Sequence, residues 1–333
     1  MEQIPRSTRA GPQANEPVQE NHIDGQSSCA ALEDTLDLQL LQHFTLDVSR
    51  SLAEENKDIT LWQRLVPSIA FEHAFVMHGL LALSALSYAR HNLSMKTKCI
   101  AKAQVHHART LHKFIPELSN PNNANTDALY VTSVLLSFHH FAKGPRPGEY
   151  LVFGDRGQPE WLWLLGGVRT ILEQRGRKPL EELDIVHAEN SSFPSELLLR
   201  HVYVAALDHT EPLQRLRRLI HDSAVDFSAA VDNLEMCFTR AFADDGRMDG
   251  VRPRNHLIMA WLYLLDSEFL AAAQAKQPIA LIIVAYYAAL LHQLNHCWLM
   301  YDWGLHLMDG VGKHLPAEYK HWLDWPATVM NWK

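Results

Sequence analysis

Apolar positions recur with helical spacing through most of the chain. Leu38, Leu41, Phe44, Val48 and Leu52 follow one another at intervals of 3, 3, 4 and 4, which puts them on one face of a helix that starts near Asp34. A short Leu61-Trp62 segment stops near Pro67. From Phe75 to Tyr88 the chain is apolar almost all round, the signature of a helix enclosed by others. Ser94 is placed to cap a helix that runs to Phe114 and breaks at Pro116. Beyond the turn-forming cluster Asn120-Pro121-Asn122-Asn123, Thr126 is expected to cap a helix with Val131, Leu135, Phe138 and Phe141 on its inner stripe. Gly144-Pro145-Arg146-Pro147-Gly148 then opens a loop reaching about Gln158, and helical pattern resumes from Pro159 to a stop at Gly176. Weaker helical pattern covers 194–208, 211–221 and 226–242, and Asp244 to Pro253 reads as a loop. Strong pattern covers 254–275 and 278–300, followed by short pieces at 301–313 and 316–323. No stretch sustains a period of two and no segment repeats at a fixed spacing. The fold class predicted is all-α: a large irregular helical bundle of ten or more helices.

Residues 1–33 depart from this pattern. Pro5, Pro12 and Pro17 stand among Gln, Asn, Glu and Ser, so a disordered tail is expected ahead of one helical domain over 34–333. Composition agrees with a folded chain, because 47% of the 333 residues are hydrophobic and 20% charged, which excludes disorder throughout. The 38 acidic and 30 basic side chains leave a net charge of −8, which argues against nucleic-acid binding through bulk charge. The longest apolar run, Ile279–Leu291, ends at His292 and is shorter than the ~20 residues a membrane span needs. Cys29, Cys99, Cys237 and Cys297 lie far apart, with no C-x-x-C pair and no zinc-ribbon spacing. Without an apolar signal segment, a reducing compartment is expected.

The 20 His and 9 Trp are the unusual counts. His292 and His296, four apart, would share a helix face as two metal ligands do. They lack the H-E-x-x-H glutamate and an assigned third ligand, and two helix-end imidazoles are the plainer reading. His106, His107 and His112 share a helix with Lys96, Lys98, Lys102, Arg109 and Lys113, either as a phosphate-contacting face or, more simply, as a solvated one. His139-His140 has the same two readings. Arg215, Arg217 and Arg218 suit an import signal, an anion contact or one polar helix face. Glu181-Glu182 and Asp244-Asp245 sit in polar stretches. Asp266 and Glu268 interrupt the apolar run from Trp261 to Ala273. Neither a nucleophile motif nor a glycine-rich phosphate loop occurs, so no reaction and no cofactor is nominated. Trp298, Trp303, Trp322, Trp325 and Trp332 crowd the C-terminal region with Tyr286, Tyr287, Tyr301, Met300 and Met308. They would either line a site for a flat apolar ligand or close an aromatic core.

The order of several segments resembles the regulatory domain of fungal zinc-cluster transcription factors, nearest the sterol-uptake-control branch. The segments are Asp37-Leu-Gln-Leu-Leu-Gln-His-Phe44, Leu61-Trp62 with Val66-Pro67-Ser-Ile-Ala-Phe71, and His78-Gly-Leu-Leu-Ala-Leu-Ser-Ala-Leu86. They continue with His106-His107-Ala108, then Glu160-Trp161-Leu and Leu165-Gly-Gly-Val168-Arg169. At the end come Ala285-Tyr-Tyr-Ala-Ala-Leu-Leu-His292, Trp298, Trp303-Gly304, His306-Leu307 and Trp322 with Trp325-Pro326. The resemblance implies an all-α regulatory domain, a nuclear place (with the cytoplasm as alternative) and control of lipid or secondary-metabolite genes. It also implies a sterol-like or other hydrophobic ligand, with Trp298, Trp303 and Gly304 as the positions to test. The family's zinc cluster needs six cysteines, whereas Cys29 alone precedes the helical region. Direct DNA contact by this chain is therefore not expected, and three explanations stand side by side: it acts through a full-length zinc-cluster relative or the transcriptional machinery, its gene carries the cluster on a missing first exon, or the domain is repurposed. The alternative is an enzyme or accessory protein of a biosynthetic gene cluster, with His292 or Asp266 as acid or base.

Overall fold

The computed structural model describes residues 35–53, 59–119, 125–159, 161, 162, 166, 204, 207–223, 225–243 and 252–333. The expected tail, the turn at Asn120–Asn123, the acidic pairs Glu181-Glu182 and Asp244-Asp245, and nearly all of the helix expected over 159–176 lie outside these residues. The chain divides into a short unit ending at Gln39 and a unit from Leu40 to Lys333. In the first, residues 35–39 are helical and Leu38 is exposed. All that follows concerns the second unit, which is all-α apart from four strands of two residues each among the described residues.

A first bundle holds five helices. Residues 40–52 form α1, loosened into a π-turn at Phe44–Val48, and residues 59–72 form α2, with a second π-turn at Leu61–Leu65. The buried stripe of α1 is Leu40, Phe44 and Val48, so Phe44 and Val48 face inward as expected, whereas Leu40 takes the place expected of Leu41, which is half-buried; the spacing of four through the π-turn fits its larger number of residues per turn. The central helix α3, Ala74–His91, is buried on every side. It packs between α4, Lys96–Leu118, and α5, Thr126–Ala142. Ala82, Ser84, Ala85, Ser87 and Ala89 along α3 are small, which lets its neighbours approach closely. Ser94 does not cap α4; it lies in a 3-10 turn, Leu93–Met95, that leads into it. Pro116 stays inside the last turn of α4, where its missing N–H costs one hydrogen bond and the helix needs few more. Asn125, not Thr126, holds the cap position of α5.

A hairpin follows, β1 (Glu149–Tyr150) paired antiparallel with β2 (Phe153–Gly154), in place of the expected irregular loop. The second bundle comprises α6 (Thr210–His221), α7 (Ser228–Arg240), α8 (Asn255–Leu264), α9 (Ser267–Gln274), α10 (Pro278–His292), α11 (Trp303–His314) and α12 (Asp324–Met330). A second two-residue pairing joins β3 (Phe242–Ala243) to β4 (Arg252–Pro253). The expected helix over 254–275 is two helices bent by 88°. Leu265 and Asp266 explain the break: the extended backbone of Leu265 ends one helix, and the Asp266 carboxylate accepts the Phe269 N–H at 2.7 Å, capping the next. Pro278 occupies the first turn of α10, which then runs apolar and buried to Leu291. That helix stops at His292 rather than continuing to 300. Among the described residues no single helix is long and apolar enough to cross a membrane.

Candidate functional site

The two bundles meet where α11 begins. After His292 the chain makes successive turns, held where Asn295 Oδ1 accepts the Asp302 N–H at 2.7 Å. Asp302 takes a left-handed conformation, φ 64°, that redirects the backbone into α11. Trp303, 2% exposed, points back to the first bundle and donates from Nε1 to the Phe141 carbonyl at 3.1 Å. Its ring lies 5.7 Å from Phe141, edge-on, and 5.6 Å from His140. Trp298, half-buried, donates to the Ser51 hydroxyl at 2.9 Å. A Cβ on Gly304 would stand 2.9 Å from both the Cα and the N of His292. The α11 backbone therefore rests on that of α10, and glycine is the residue that allows it.

Two further glycines of α11 do similar work. Gly310 seats the Tyr150 ring, and Gly312 seats the Trp332 ring, whose nearest carbon would lie 2.8 Å from an added Cβ. Tyr150 belongs to the hairpin, which α11 holds at several points. His306 Nε2 lies 2.8 Å from the Glu149 carbonyl, and its ring stacks on Tyr150 at 4.9 Å. Asp155 pairs with Lys313 at 2.6 Å and with His314 at 2.7 Å. The Gln274 amide brackets the backbone N–H and carbonyl of Gly154. The hairpin tip, Leu151 and Val152, is fully buried with Phe153, and the Trp161 indole donates to the Leu151 carbonyl at 2.6 Å. Trp303, Trp161, Phe141, His140, His306 and Tyr150 thus form one continuous aromatic seam.

Behind this seam lie the histidines. His106 is buried and its Nδ1 meets that of His78 at 3.1 Å. His107 stacks on His139 with centroids 4.0 Å apart. The solvated face expected for His106, His107 and His139 is therefore corrected: these rings turn inward, and His112 alone of the α4 histidines is exposed. Burial pushes His107 down to about 4 and His139 to about 2, and the nearby Lys143 adds to both effects. His140 falls to about 4 from burial first and then Lys143 and Arg146. These imidazoles are neutral at neutral pH.

Other sequence candidates separate. Because α10 ends at His292, His296 lies in the turn beyond it and the pair does not share a helix face. His292 is half-buried with Nδ1 unpartnered, whereas His296 is exposed with Nδ1 3.0 Å from the Gln293 carbonyl. Among the described residues no three His, Cys, Asp or Glu side chains gather as a metal site would require. Asp266 is a helix cap and Glu268 is exposed. Arg217 pairs with Asp232 at 2.5 Å and with Glu235, tying α6 to α7, while Arg215 lies 4.7 Å over the Trp322 ring. A polar groove of about 460 Å3 opens between α6 and α7, lined by Arg217, His221, Ser223 and Asp226 among others, and includes none of Trp298, Trp303 and Gly304. The hairpin and the other glycine seats escaped sequence reasoning. The one available signal was Gly304, Gly310 and Gly312 recurring within a single amphipathic helix.

The family described as fungal specific transcription factor domain matches residues 39–207, about half of the chain. A Zn(2)-C6 fungal-type transcription factor of Gibberella zeae is 24% identical over 320 residues, covering 89% of this chain and 62% of that protein. Sterol uptake control protein 2 of Candida albicans is 29% identical over 140 residues, which is 41% of this chain and 19% of that protein. The protein of the same name in Saccharomyces cerevisiae is 25% identical over 140 residues, 41% of this chain and 15% of its own length. The chain thus spans about three-fifths of the first of these relatives and under a fifth of the other two.

Proposed function

We infer that this chain, which belongs to the family of fungal specific transcription factor domains, is the regulatory part of a transcriptional regulator whose α10–α11 seam answers to an apolar small molecule. The observation carrying this reading is Gly304 seated on the His292 backbone, next in the chain to Trp303, with Trp303 and the preceding Trp298 each hydrogen-bonded into the first bundle. Two backbones in contact, flanked by two indole bonds, have few intermediate settings. A sterol-like or other hydrophobic molecule beside Trp298 and Trp303 would favour one setting and so expose or cover a partner surface. That two relatives are named for sterol uptake control supports a sterol-like ligand and lipid genes as targets; secondary-metabolite genes are the other target class proposed. The reading places the chain in the nucleus. Within these 333 residues a net charge of −8 does not favour DNA binding through bulk charge, so base reading is assigned to a six-cysteine zinc cluster, in the same polypeptide or in a partner.

Mass spectrometry of lipid extracted from the purified chain, together with melting curves in sterols and apolar metabolites, tests the ligand. A ligand at a hundredfold its Kd adds about 2.7 kcal/mol, a rise of several degrees for a chain of this length. Gly304→Ala presses a methyl against the His292 backbone, and is expected to cost about 1–3 kcal/mol and to abolish the ligand-dependent rise. A protein that carries no hydrophobic molecule, and whose melting temperature none of these compounds raises, would sink the ligand reading. Deleting the gene is expected to lower target transcripts. Unchanged transcripts with an accumulated intermediate would point to an enzyme instead.

A further inference from the structure

We propose that the outer face of α4 is a docking surface for an acidic amphipathic helix of a partner protein. The inner stripe of α4 is Cys99, Ala103, His106, Thr110 and Phe114, turned toward α3 and α5. At 100° per residue, the opposite side carries Ala101, Gln104, Val105, Ala108, His112 and Ile115, all exposed. Val105 is 45% exposed and Ile115 58%, with Ile100 at the margin of the stripe and Leu93 79% exposed just before the helix. Water covers β-branched aliphatics here along a helix ~35 Å long. Ala101 and Ala108, two turns apart, leave room for another helix axis at the close end of the usual 8–10 Å, about the spacing small residues permit.

Charge identifies the occupant. Lys98, Arg109 and Lys113 stand exposed along one flank of the stripe, with half-buried Lys102 among them. Counting Lys96, α4 carries five cationic side chains against Glu117, in a chain whose net charge is −8. A second copy of this chain would set five cations of one helix against five of the other, with little carboxylate between them. A nucleic acid would use the cations but leave Val105, Ala108 and Ile115 without a partner, since phosphate contacts gain nothing from aliphatic groups. An amphipathic helix with Leu or Phe at i, i+3 or i+4 and i+7, and Asp or Glu on one shoulder, uses both parts of the surface.

The test is fluorescence anisotropy on the whole chain, with a labelled synthetic helix of about five turns bearing a Leu stripe and a Glu shoulder. A scrambled peptide of the same composition and a short DNA duplex serve as comparisons. The ordered peptide is expected to bind at least about tenfold more tightly than the scrambled one, and less tightly as salt rises. Lys98→Glu, Arg109→Glu and Lys113→Glu together should weaken it by about tenfold or more. Val105→Ser with Ile115→Ser should weaken it several-fold, and because these side chains are exposed the melting temperature should hold, which separates lost docking from lost folding. Equal binding of the scrambled peptide, wild-type affinity in either set of variants, or tighter binding of the duplex overturns the proposal. So does a dimer of the chain that excludes the peptide and disappears in Val105→Ser/Ile115→Ser, which would make the occupant a second copy.

Discussion

The two bundles bury their residues by different means. Among the described residues every fully buried Ser, Thr, Asn and His side chain (Ser49, Ser84, Ser87, His106, Thr110, Asn125, Thr132, Ser133, Ser137 and His139) lies in the first bundle or at its edge. Most of the hydroxyls are satisfied inside their own helix: Thr110, Thr132, Ser133 and Ser137 each donate to the carbonyl four residues back. Such side chains present a small, internally satisfied surface, so helices can close on one another without orphaning a polar group. The second bundle is closed instead by large rings. Trp261 stacks on Tyr287 at 4.3 Å, meets Phe269 edge-on and donates to the Ala230 carbonyl at 2.9 Å. One bundle relies on close approach and on histidines that stay neutral, the other on bulk. Their weak points should therefore differ.

Removing bulk from the second bundle should have the largest effect. Trp261→Ala deletes a fully buried ring together with its hydrogen bond and is expected to cost about 3–5 kcal/mol in urea denaturation. A loss under about 1 kcal/mol would mean that the aromatic core collapses easily around the gap, and the contrast between the bundles would fail.

Acid should act on the first bundle. His107, His139 and His140 are held below their ordinary value of 6.5 in the folded chain, so the unfolded chain takes up protons first as the pH falls. Their contribution is fully present above pH 6.5 and declines as the pH drops toward about 4, where folded His107 and His140 titrate. Deeply buried His139 accounts for up to about 1.4 kcal/mol per pH unit, and half-buried His107 and His140 for less because water screens them. Lys143 and Arg146 strengthen the dependence by repelling the charged rings. Replacing the stacked pair, His107→Phe with His139→Phe, should flatten stability between pH 6.5 and 4. An unchanged slope would show that these rings are not the acid-labile element.

How far such differences were legible in the sequence depended on the strength of the local pattern. Helix α10 was legible because an apolar run behind a proline has few alternatives, and α3 for the same reason. The bend at Asp266 was not, since an acid after an apolar stretch reads equally well as the wet side of one helix or the cap of the next. Inward-facing His106 was missed because its stripe, Cys99, Ala103, His106, Thr110 and Phe114, is only weakly apolar, while Val105 and Ile115 outside it are more so. The hairpin escaped because its strands are two residues long and its left-handed position is Leu151, φ 54°, where a glycine would have signalled a turn. Gly304 was singled out by resemblance alone. Its reason, the His292 backbone, lies on another segment and needed three dimensions.

The smallest expected effect bears most directly on how the bundles are joined. Ser133 and Ser137 are both buried on α5, and both donate to a carbonyl of their own helix. Ser137 is also hydrogen-bonded to the Tyr263 hydroxyl of α8, whose titration burial pushes up. Ser133→Ala removes a donor whose carbonyl partner, on Leu129, keeps its place in the helix, and should change stability by no more than about 0.5–1 kcal/mol. Ser137→Ala takes a partner from a tyrosine hydroxyl packed between the two bundles and should cost about 1–3 kcal/mol. A double-mutant cycle with Tyr263→Phe separates the two cases, because removing both partners leaves nothing unsatisfied and should recover much of the loss. If Ser133→Ala and Ser137→Ala prove equal, and the cycle shows no coupling, Ser137 serves only its own helix. Coupling of about 0.5 kcal/mol or more would instead make Ser137 a point at which the polar bundle reaches into the aromatic one, beside Ser51 and the Phe141 carbonyl.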